Sequence, residues 1–342
     1  MKNITLGKTG ITVPQNAFGA LPIQRISKEE AVKLMRKAYE GGMRYFDTAR
    51  AYSDSEEKVG EAFKGMREKV FIATKTAATT PEGFWKDLET SLEKLQTDYI
   101  DVYQFHCVGQ CYKPNDGTGM YECMLEAKKQ GKIRHIGVTA HKIGIAYECV
   151  ESGLYETMQF PFSYLSGPQE LKLVEMCKEA NMGFVCMKGL AGGLINNSKA
   201  AMAYMLQFDN TLPIWGIQKE TELEEWLSYM QDTPEMDEEI ANFIHDEKEE
   251  LSGDFCRGCG YCMPCPKGIT INQCARMSLM LRRAPSQAWL SEYWQKEMAK
   301  IETCLHCGAC KKKCPYELDT PTLLEKNLED YKNVLAGVTK VQ

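Results

Sequence analysis

The chain of 342 residues has no basic excess: 41 lysines and arginines stand against 47 acidic residues, a net charge of −6. That balance excludes the electrostatic footprint of a nucleic-acid binder or of a protein drawn to anionic membrane. A long uncharged apolar run is also missing, so no segment reads as a membrane span. The opening MKNITLGKTG reads as strand and turn, without the charged and apolar regions of a secretory signal, and the expectation is a cytoplasmic protein. No low-complexity tract interrupts the text. Nor does a G-x-G-x-x-G follow the first strand, which removes the phosphate fingerprint of an open dinucleotide-binding sheet.

Cysteine is the residue in excess, with fifteen copies. In a small exported chain they would read as a disulfide framework, but the length and the missing export pattern argue for metal-binding cysteines in a reducing compartment. Eight fall in two tight groups near the C-terminus. The other seven (Cys107, Cys111, Cys123, Cys149, Cys177, Cys186 and Cys274) are scattered.

Before those groups the text alternates. After a hairpin from Ile4 to Val13, apolar runs occur at AFGA, YFDTA, VFIATKT, YIDVYQFH, IRHIGVT, YETMQF, GFVCMK and LPIWGIQ. Amphipathic stretches separate them. In SKEEAVKLMRKAYEGG, Ser27 and Glu30 form a capping box and Gly41-Gly42 is a stop. In PEGFWKDLETSLEKL, Phe84, Leu88, Leu92 and Leu95 share one face. Eight strands alternating with helices predict an α/β fold, a (β/α)8 TIM barrel over residues 1–232. An acidic linker helix over 233–252 leads to a small, mainly helical domain over 253–342.

In such a barrel, functional side chains sit where strands end. Asp47 ends the second strand, Tyr52 lies in the loop after it, Lys75 ends the third and His106 the fourth. Singly, each has an ordinary structural explanation as a helix cap, a solvated lysine or a core histidine. Together they aim a carboxylate, a phenol, an amine and an imidazole at one mouth. A lysine ammonium beside the phenol is expected to lower its pKa, and the carboxylate to fix the lysine.

FDTARAYSDSEEKVGEAF, FIATKT, DYIDVYQFH and IRHIGVT resemble, in order and spacing, successive blocks of the aldo-keto reductase superfamily over about residues 1–230. The resemblance implies a catalytic tetrad of Asp47, Tyr52, Lys75 and His106, with Tyr52 as general acid and hydride from a nicotinamide, NADP(H) or NAD(H). Gln159 matches the glutamine that holds the carboxamide. Thr139-Ala140 stands for the usual Ser-Asn, and Met187 for a stacking tyrosine. After the eighth strand GIQKETELEEW keeps one lysine at Lys219, whereas Glu222 replaces an arginine that grips the 2′-phosphate and Trp226 an asparagine near adenine. Cys107 replaces the common tryptophan after the histidine; Cys107 and Cys111 read as small filler beside the site. The loop CVGQCYKPNDGTG is expected to line that site.

CRGCGYCMPCP supplies Cys256, Cys259, Cys262, Cys265 and then Pro266; CLHCGACKKKCP supplies Cys304, Cys307, Cys310, Cys314 and then Pro315. Three cysteines at two-residue gaps take three corners of a cubane, and a distant fourth followed by proline ligates the other cluster. The expectation is two 4Fe-4S clusters, Cys256, Cys259 and Cys262 sharing with Cys314, and Cys304, Cys307 and Cys310 with Cys265. The first group has two residues, not three, before its last cysteine. Structural zinc prefers two separated C-x2-C pairs and fits these triplets poorly. The module is similar to ferredoxin-like extensions of some aldo-keto reductases. Lys311, Lys312 and Lys313 read either as a docking patch for an acidic carrier or as a solvated loop that offsets cluster charge.

The function expected is an oxidoreductase acting on a small-molecule carbonyl or alcohol. Electrons pass to or from a nicotinamide, the clusters, or a ferredoxin or flavodoxin-like carrier, with no nucleic-acid or membrane partner. Hydride moves two electrons and a cluster one, so how the two halves couple stays open. The alternative is an electron-transfer iron-sulfur protein without hydride chemistry.

Overall fold

A computed structural model describes residues 1–251, 255–283, 286–314 and 316–341. The chain divides into two compact units: Met1–Gly189 with Ser198–Ile240, and Leu190–Asn197 with Ala241–Gln342. The acidic stretch at 233–252 contains the helix Glu238–Glu250, and the division falls inside that helix.

The first unit opens with an antiparallel pair, β1 (Asn3–Thr5) and β2 (Thr12–Pro14). Eight parallel strands follow: β3 (Ala17–Gly19), β4 (Tyr45–Asp47), β5 (Phe71–Thr76), β6 (Ile100–Phe105), β7 (Ile133–Thr139), β8 (Thr157–Pro161), β9 (Gly183–Met187) and β10 (Thr211–Gly216). They close in chain order, β10 pairing back to β3, into a (β/α)8 barrel. The helices start and stop where the local chemistry directs. Ser27 Oγ accepts the Glu30 N–H and the Glu30 carboxylate accepts the Ser27 N–H, a capping box worth about 1 kcal/mol. Gly41 is the C-cap of that helix, and Gly42 follows at φ +107°. Phe84, Leu88, Leu92 and Leu95 form the buried face of helix Pro81–Leu95.

The barrel interior is layered because strand side chains alternate with period two. One layer is apolar: Ala17, Tyr45, Ala73, Val102, Val185 and Leu212 pack with Ile4, Leu6 and Val13 of the opening pair. Two residues further along the strands, the same faces carry Asp47, Lys75, Gln104 and Met187. Gln159 joins this polar layer, hydrogen-bonded to both Asp47 and Gln104. Gly137 leaves the room it needs: a Cβ there would lie 2.3 Å from Thr157 Oγ1 and 2.8 Å from Gln104 Cγ.

In the second unit, short helices surround a core of Ile269, Ile271, Cys274, Met277, Leu281, Met298, Ile301, Leu324 and Tyr331. The long helix Thr320–Leu335 is latched by polar bonds: Asn327 Oδ1 accepts the Ser278 N–H at 2.8 Å, and Tyr331 Oη donates to the Trp289 carbonyl at 2.8 Å. Pro315 lies outside the described residues. Among the described residues no helix is long and apolar enough to cross a membrane.

Candidate active site and cysteine centre

The block after β4 builds the loop that carries Tyr52. Ser55 Oγ donates to the Ala20 carbonyl and meets Thr48 Oγ1 at 2.8 Å, while Lys58 donates to the Ile23 and Ile26 carbonyls. Glu56, fully buried, accepts Thr74 Oγ1 at 2.6 Å and Ser91 Oγ at 2.7 Å and pairs with Arg50. Glu56 and Lys58 of SEEK are thus held by buried partners, while Glu57 pairs with Lys28 and Lys94 at the surface, and the loop follows the strands beneath it. The Tyr52 N–H donates to the Ala49 carbonyl and the Tyr52 carbonyl accepts from Ser55, a tight turn with Ser53 at φ +40°.

Beneath this loop Lys75 Nζ donates to Asp47 Oδ1 at 2.6 Å and to the Thr48 carbonyl at 2.6 Å, both side chains at most 3% exposed. Lys75 Nζ lies 5.4 Å from the centre of the Tyr52 ring, and the Tyr52 and His106 rings meet edge-on at 5.7 Å. The backbone N–H of His106 is fixed on the Thr76 carbonyl. The structure therefore brings all four residues together from β4, β5, β6 and one loop.

Electrostatics correct one expectation. Lys75 does not pull the Tyr52 phenol down: burial, then the charges of Asp47 and Cys107, pushes it well above its ordinary value. Tyr52 is a phenol, not a phenolate, at neutral pH. Burial pushes the Asp47 carboxyl up, against the Lys75 ammonium and the amides of Gln159 and Gln104. Burial, then the Lys75 charge, lowers His106 to about 3, so its ring is neutral and one nitrogen keeps a proton to donate.

The other expected residues divide. Gln159 donates to Asp47 Oδ1 at 3.4 Å and accepts Gln104 Nε2 at 3.0 Å. Thr139 Oγ1 accepts the Cys107 N–H at 2.6 Å and so holds the residue after His106, itself at φ +53°. Met187 ends β9, half-buried. Lys219 is exposed as N-cap of helix Glu220–Gln231, where Glu222 accepts the Gln218 and Lys219 N–H groups at 2.9 and 3.1 Å. Trp226 is buried and stacked on Trp215, 3.9 Å apart at 9°. Cys107 is half-buried with Sγ 3.6 Å from His141 Nδ1, whereas Cys111 is buried near the Glu148 carbonyl, 3.9 Å away.

Two neighbours were not singled out from the sequence. Gln104 bridges Asp47 and Gln159, and its Oε1 is buried without a hydrogen-bond partner among the described residues. Period-two alternation from Val102 was the available signal. His141, two residues past Thr139, is buried and lowered to about 3 by burial, then by Lys188 and His106.

The cysteine groups fold alike. Each first cysteine accepts the backbone N–H two residues on, Gly258 to Cys256 and His306 to Cys304, both at 3.4 Å. Gly258 and His306 both take positive φ, as do Gly260 and Gly308. Cys265, Cys304, Cys307 and Cys310 line one cavity, joined on its wall by Cys262. Charge on Cys259 and on Cys314 raises the Cys256 thiol, after burial, so these three are neighbours. Burial, Cys256 and Cys259 push Cys262 up to about 12. Thiols that repel one another as anions are relieved by a cationic centre, and an all-sulfur donor set suits iron–sulfur chemistry. Among the described residues no three His, Cys, Asp or Glu side chains converge on a single ion. The donors fit a cluster that spans several sulfurs.

Residues 15–241 match the model of the aldo/keto reductase family. The chain belongs to that family. Residues 255–319 of this aldo/keto reductase match a 4Fe-4S dicluster domain. An uncharacterized oxidoreductase of Bacillus subtilis, YqkF, is 27% identical over 210 residues, 57% of this chain and 67% of its own length. Methylglyoxal reductase DkgA of Escherichia coli O157:H7 is 37% identical over 137 residues, 39% of this chain. The chain spans about half of that relative, 48%. An aldo-keto reductase from Klebsiella pneumoniae in complex with NADPH has the same fold, at TM-score 0.61 and 21% identity, over 72% of this chain and 96% of that one.

Proposed function

We propose that this aldo/keto reductase interconverts a small carbonyl compound and its alcohol at the barrel mouth, with Tyr52 as proton donor in the reducing direction. The observation that carries the reading is the buried Asp47–Lys75 pair beneath Tyr52 and His106. Tyr52 Oη keeps its proton until a substrate oxygen gains negative charge. Lys75, anchored by Asp47 and the Thr48 carbonyl, places a fixed positive charge near the phenolate that forms. Neutral His106 donates a second hydrogen bond to the same oxygen. A nicotinamide, when bound, supplies or accepts the hydride; Gln159, Thr139, Met187 and Lys219 are the residues assigned to hold it. The NADPH complex of the Klebsiella relative supports nicotinamide binding, and the orphaned Gln104 Oε1 supports an amide donor reaching the polar layer. The site fits a 2′-phosphate poorly, because the Glu222 carboxylate takes the two N–H groups at Gln218 and Lys219. The reading favours NAD(H) over NADP(H).

Iron–sulfur clusters, when bound, supply one-electron storage. Cys256, Cys259 and Cys262 with Cys314, and Cys304, Cys307 and Cys310 with Cys265, are the ligand sets proposed for two of them. A ferredoxin or flavodoxin-like carrier is the partner this assignment calls for. Tyr52→Phe tests the first half: turnover of a carbonyl probe such as methylglyoxal with NADH should fall about 10²–10⁴-fold with nucleotide binding kept.

A second reading, electron transfer without hydride chemistry, draws on Gln159 being committed to Asp47 and Gln104. It requires that neither NADH nor NADPH bind in anaerobic titration, and that Tyr52→Phe leave reduction of a flavodoxin unchanged.

A further inference from the structure

We propose that the edge of the second unit around Cys307 is a docking face for an acidic electron-carrier protein, with Leu305 at its apolar centre and Lys267, Lys312 and Lys313 around it. This rests on the reading that the cysteine sets hold clusters that exchange electrons with a carrier.

The two ligand sets differ in exposure. Each has one buried cysteine, Cys256 or Cys310, and half-buried ones, Cys259, Cys262 and Cys314 against Cys265 and Cys304, but of the eight Cys307 alone is exposed. A cluster on the Cys304 set therefore lies closest to solvent, where a partner can approach. Leu305, 60% exposed, lines the same cavity as Cys307 and Lys267. A large apolar side chain in water beside a redox centre is the pattern of a contact core, which a partner covers.

Charge within the cysteine segments is of one sign, and the carboxylates that approach them, Asp319 and Glu325, sit against Lys311 and His306 at 2.8 and 3.6 Å. Segments 256–267 and 304–314 contain Arg257, Lys267, Lys311, Lys312 and Lys313 and no acidic residue, in a chain whose net charge is −6. Two of these cations are committed: Arg257 lies over the Tyr316 ring, 4.2 Å away, and Lys311 pairs with Asp319 at 2.8 Å. Lys267, Lys312 and Lys313 are exposed and carry no ion pair among the described residues. Exposed ammonium groups around an apolar centre speed encounter with an acidic surface and reject basic ones, and salt screens the effect. The competing account, that these lysines only offset cluster charge, predicts a changed potential with unchanged docking.

The test uses the full chain purified anaerobically, with iron and sulfide measured, and an acidic flavodoxin as probe. Dissociation constants are read calorimetrically at low and high salt. Binding to the unmodified chain should weaken with salt. Lys312→Glu/Lys313→Glu should weaken it at low salt at least about tenfold, or about 1.4 kcal/mol. Leu305→Ser should weaken it at both salts, and Lys64→Glu, a single charge reversal of the same kind on the barrel unit, should leave it intact. If the glutamate pair fails to assemble clusters, Lys312→Gln/Lys313→Gln replaces it. Docking that is absent in the unmodified chain, insensitive to these substitutions, or matched by Lys64→Glu overturns the proposal. So does a shifted reduction potential with unchanged affinity. A chain without iron and sulfide would instead sink the underlying reading.

Discussion

Lys75→Met removes the ammonium and leaves the Asp47 carboxyl in a site with almost no access to water. Lys75 Nζ is 2.6 Å from Asp47 Oδ1 and from the Thr48 carbonyl, so the substitution strands a buried carboxylate and a carbonyl together. Breaking a buried pair from one side costs about 3–5 kcal/mol, most of it the desolvated charge left behind. Asp47 then has only the amides of Gln104 and Gln159, each at 3.4 Å, to hold its charge. Its pKa, already raised by burial, should rise further. Asp47→Asn/Lys75→Met removes both charges, and the amide can still bond to Gln104 and Gln159. It should recover at least about 2 kcal/mol over the sum of the single losses, the coupling expected of contacting groups. The assay is denaturant unfolding of all four proteins at one pH, followed by a barrel signal such as tryptophan fluorescence. Additive losses, with coupling under about 0.5 kcal/mol, would show that the pair is not a desolvated unit. The account of how Lys75 is held would then be wrong.

His106 and His141 are both lowered to about 3 from an ordinary 6.5. Folding is unpenalised above pH 6.5; as pH falls towards 3 the unfolded chain takes protons that the folded chain refuses. Stability should drop by up to about 1.4 kcal/mol per pH unit for each histidine, and His106→Gln/His141→Gln should flatten that loss in denaturant melts between pH 7 and 5. Glu222→Arg should raise the NADPH-to-NADH affinity ratio at least about tenfold, read by fluorescence titration, at a cost of about 0.5–2 kcal/mol in lost capping. Gly137→Ala should destabilise the barrel by about 1–3 kcal/mol in the same melts, since its Cβ meets Thr157 and Gln104. Cys265→Ser should deplete iron while Cys274→Ser, a core cysteine outside both sets, should not; equal iron in both by metal analysis would refute the ligand assignment.

The expected strands recur because each pairs apolar inward positions with turn chemistry at its ends. The buried face of Pro81–Leu95 and the box at Ser27 and Glu30 follow from spacing alone. So does the convergence of Asp47, Lys75 and His106, since strand-end residues of adjacent parallel strands share one rim. Gln104 was legible in principle through Val102, but a glutamine in a strand is as readily solvated, and only its bonds to Asp47 and Gln159 decide. His141 lay beyond reach, because its place depends on where the chain turns after β7.

Protonation divides the two levels most clearly. Residue order established that a phenol and an ammonium would be neighbours, and from pair charge alone the phenol should have become more acidic. Folding reversed that, because burial penalises the phenolate and Asp47 neutralises the lysine beside it. In the same way, the spacing of CRGCGYCMPCP and CLHCGACKKKCP pointed to iron–sulfur chemistry, in agreement with the 4Fe-4S dicluster match, since local loops alone bring such triplets together. Which fourth cysteine joins which triplet, and which set faces water, depends on contacts across the second unit. Short-range geometry is written in the order of residues, whereas dielectric environment and exposure belong to the packed chain.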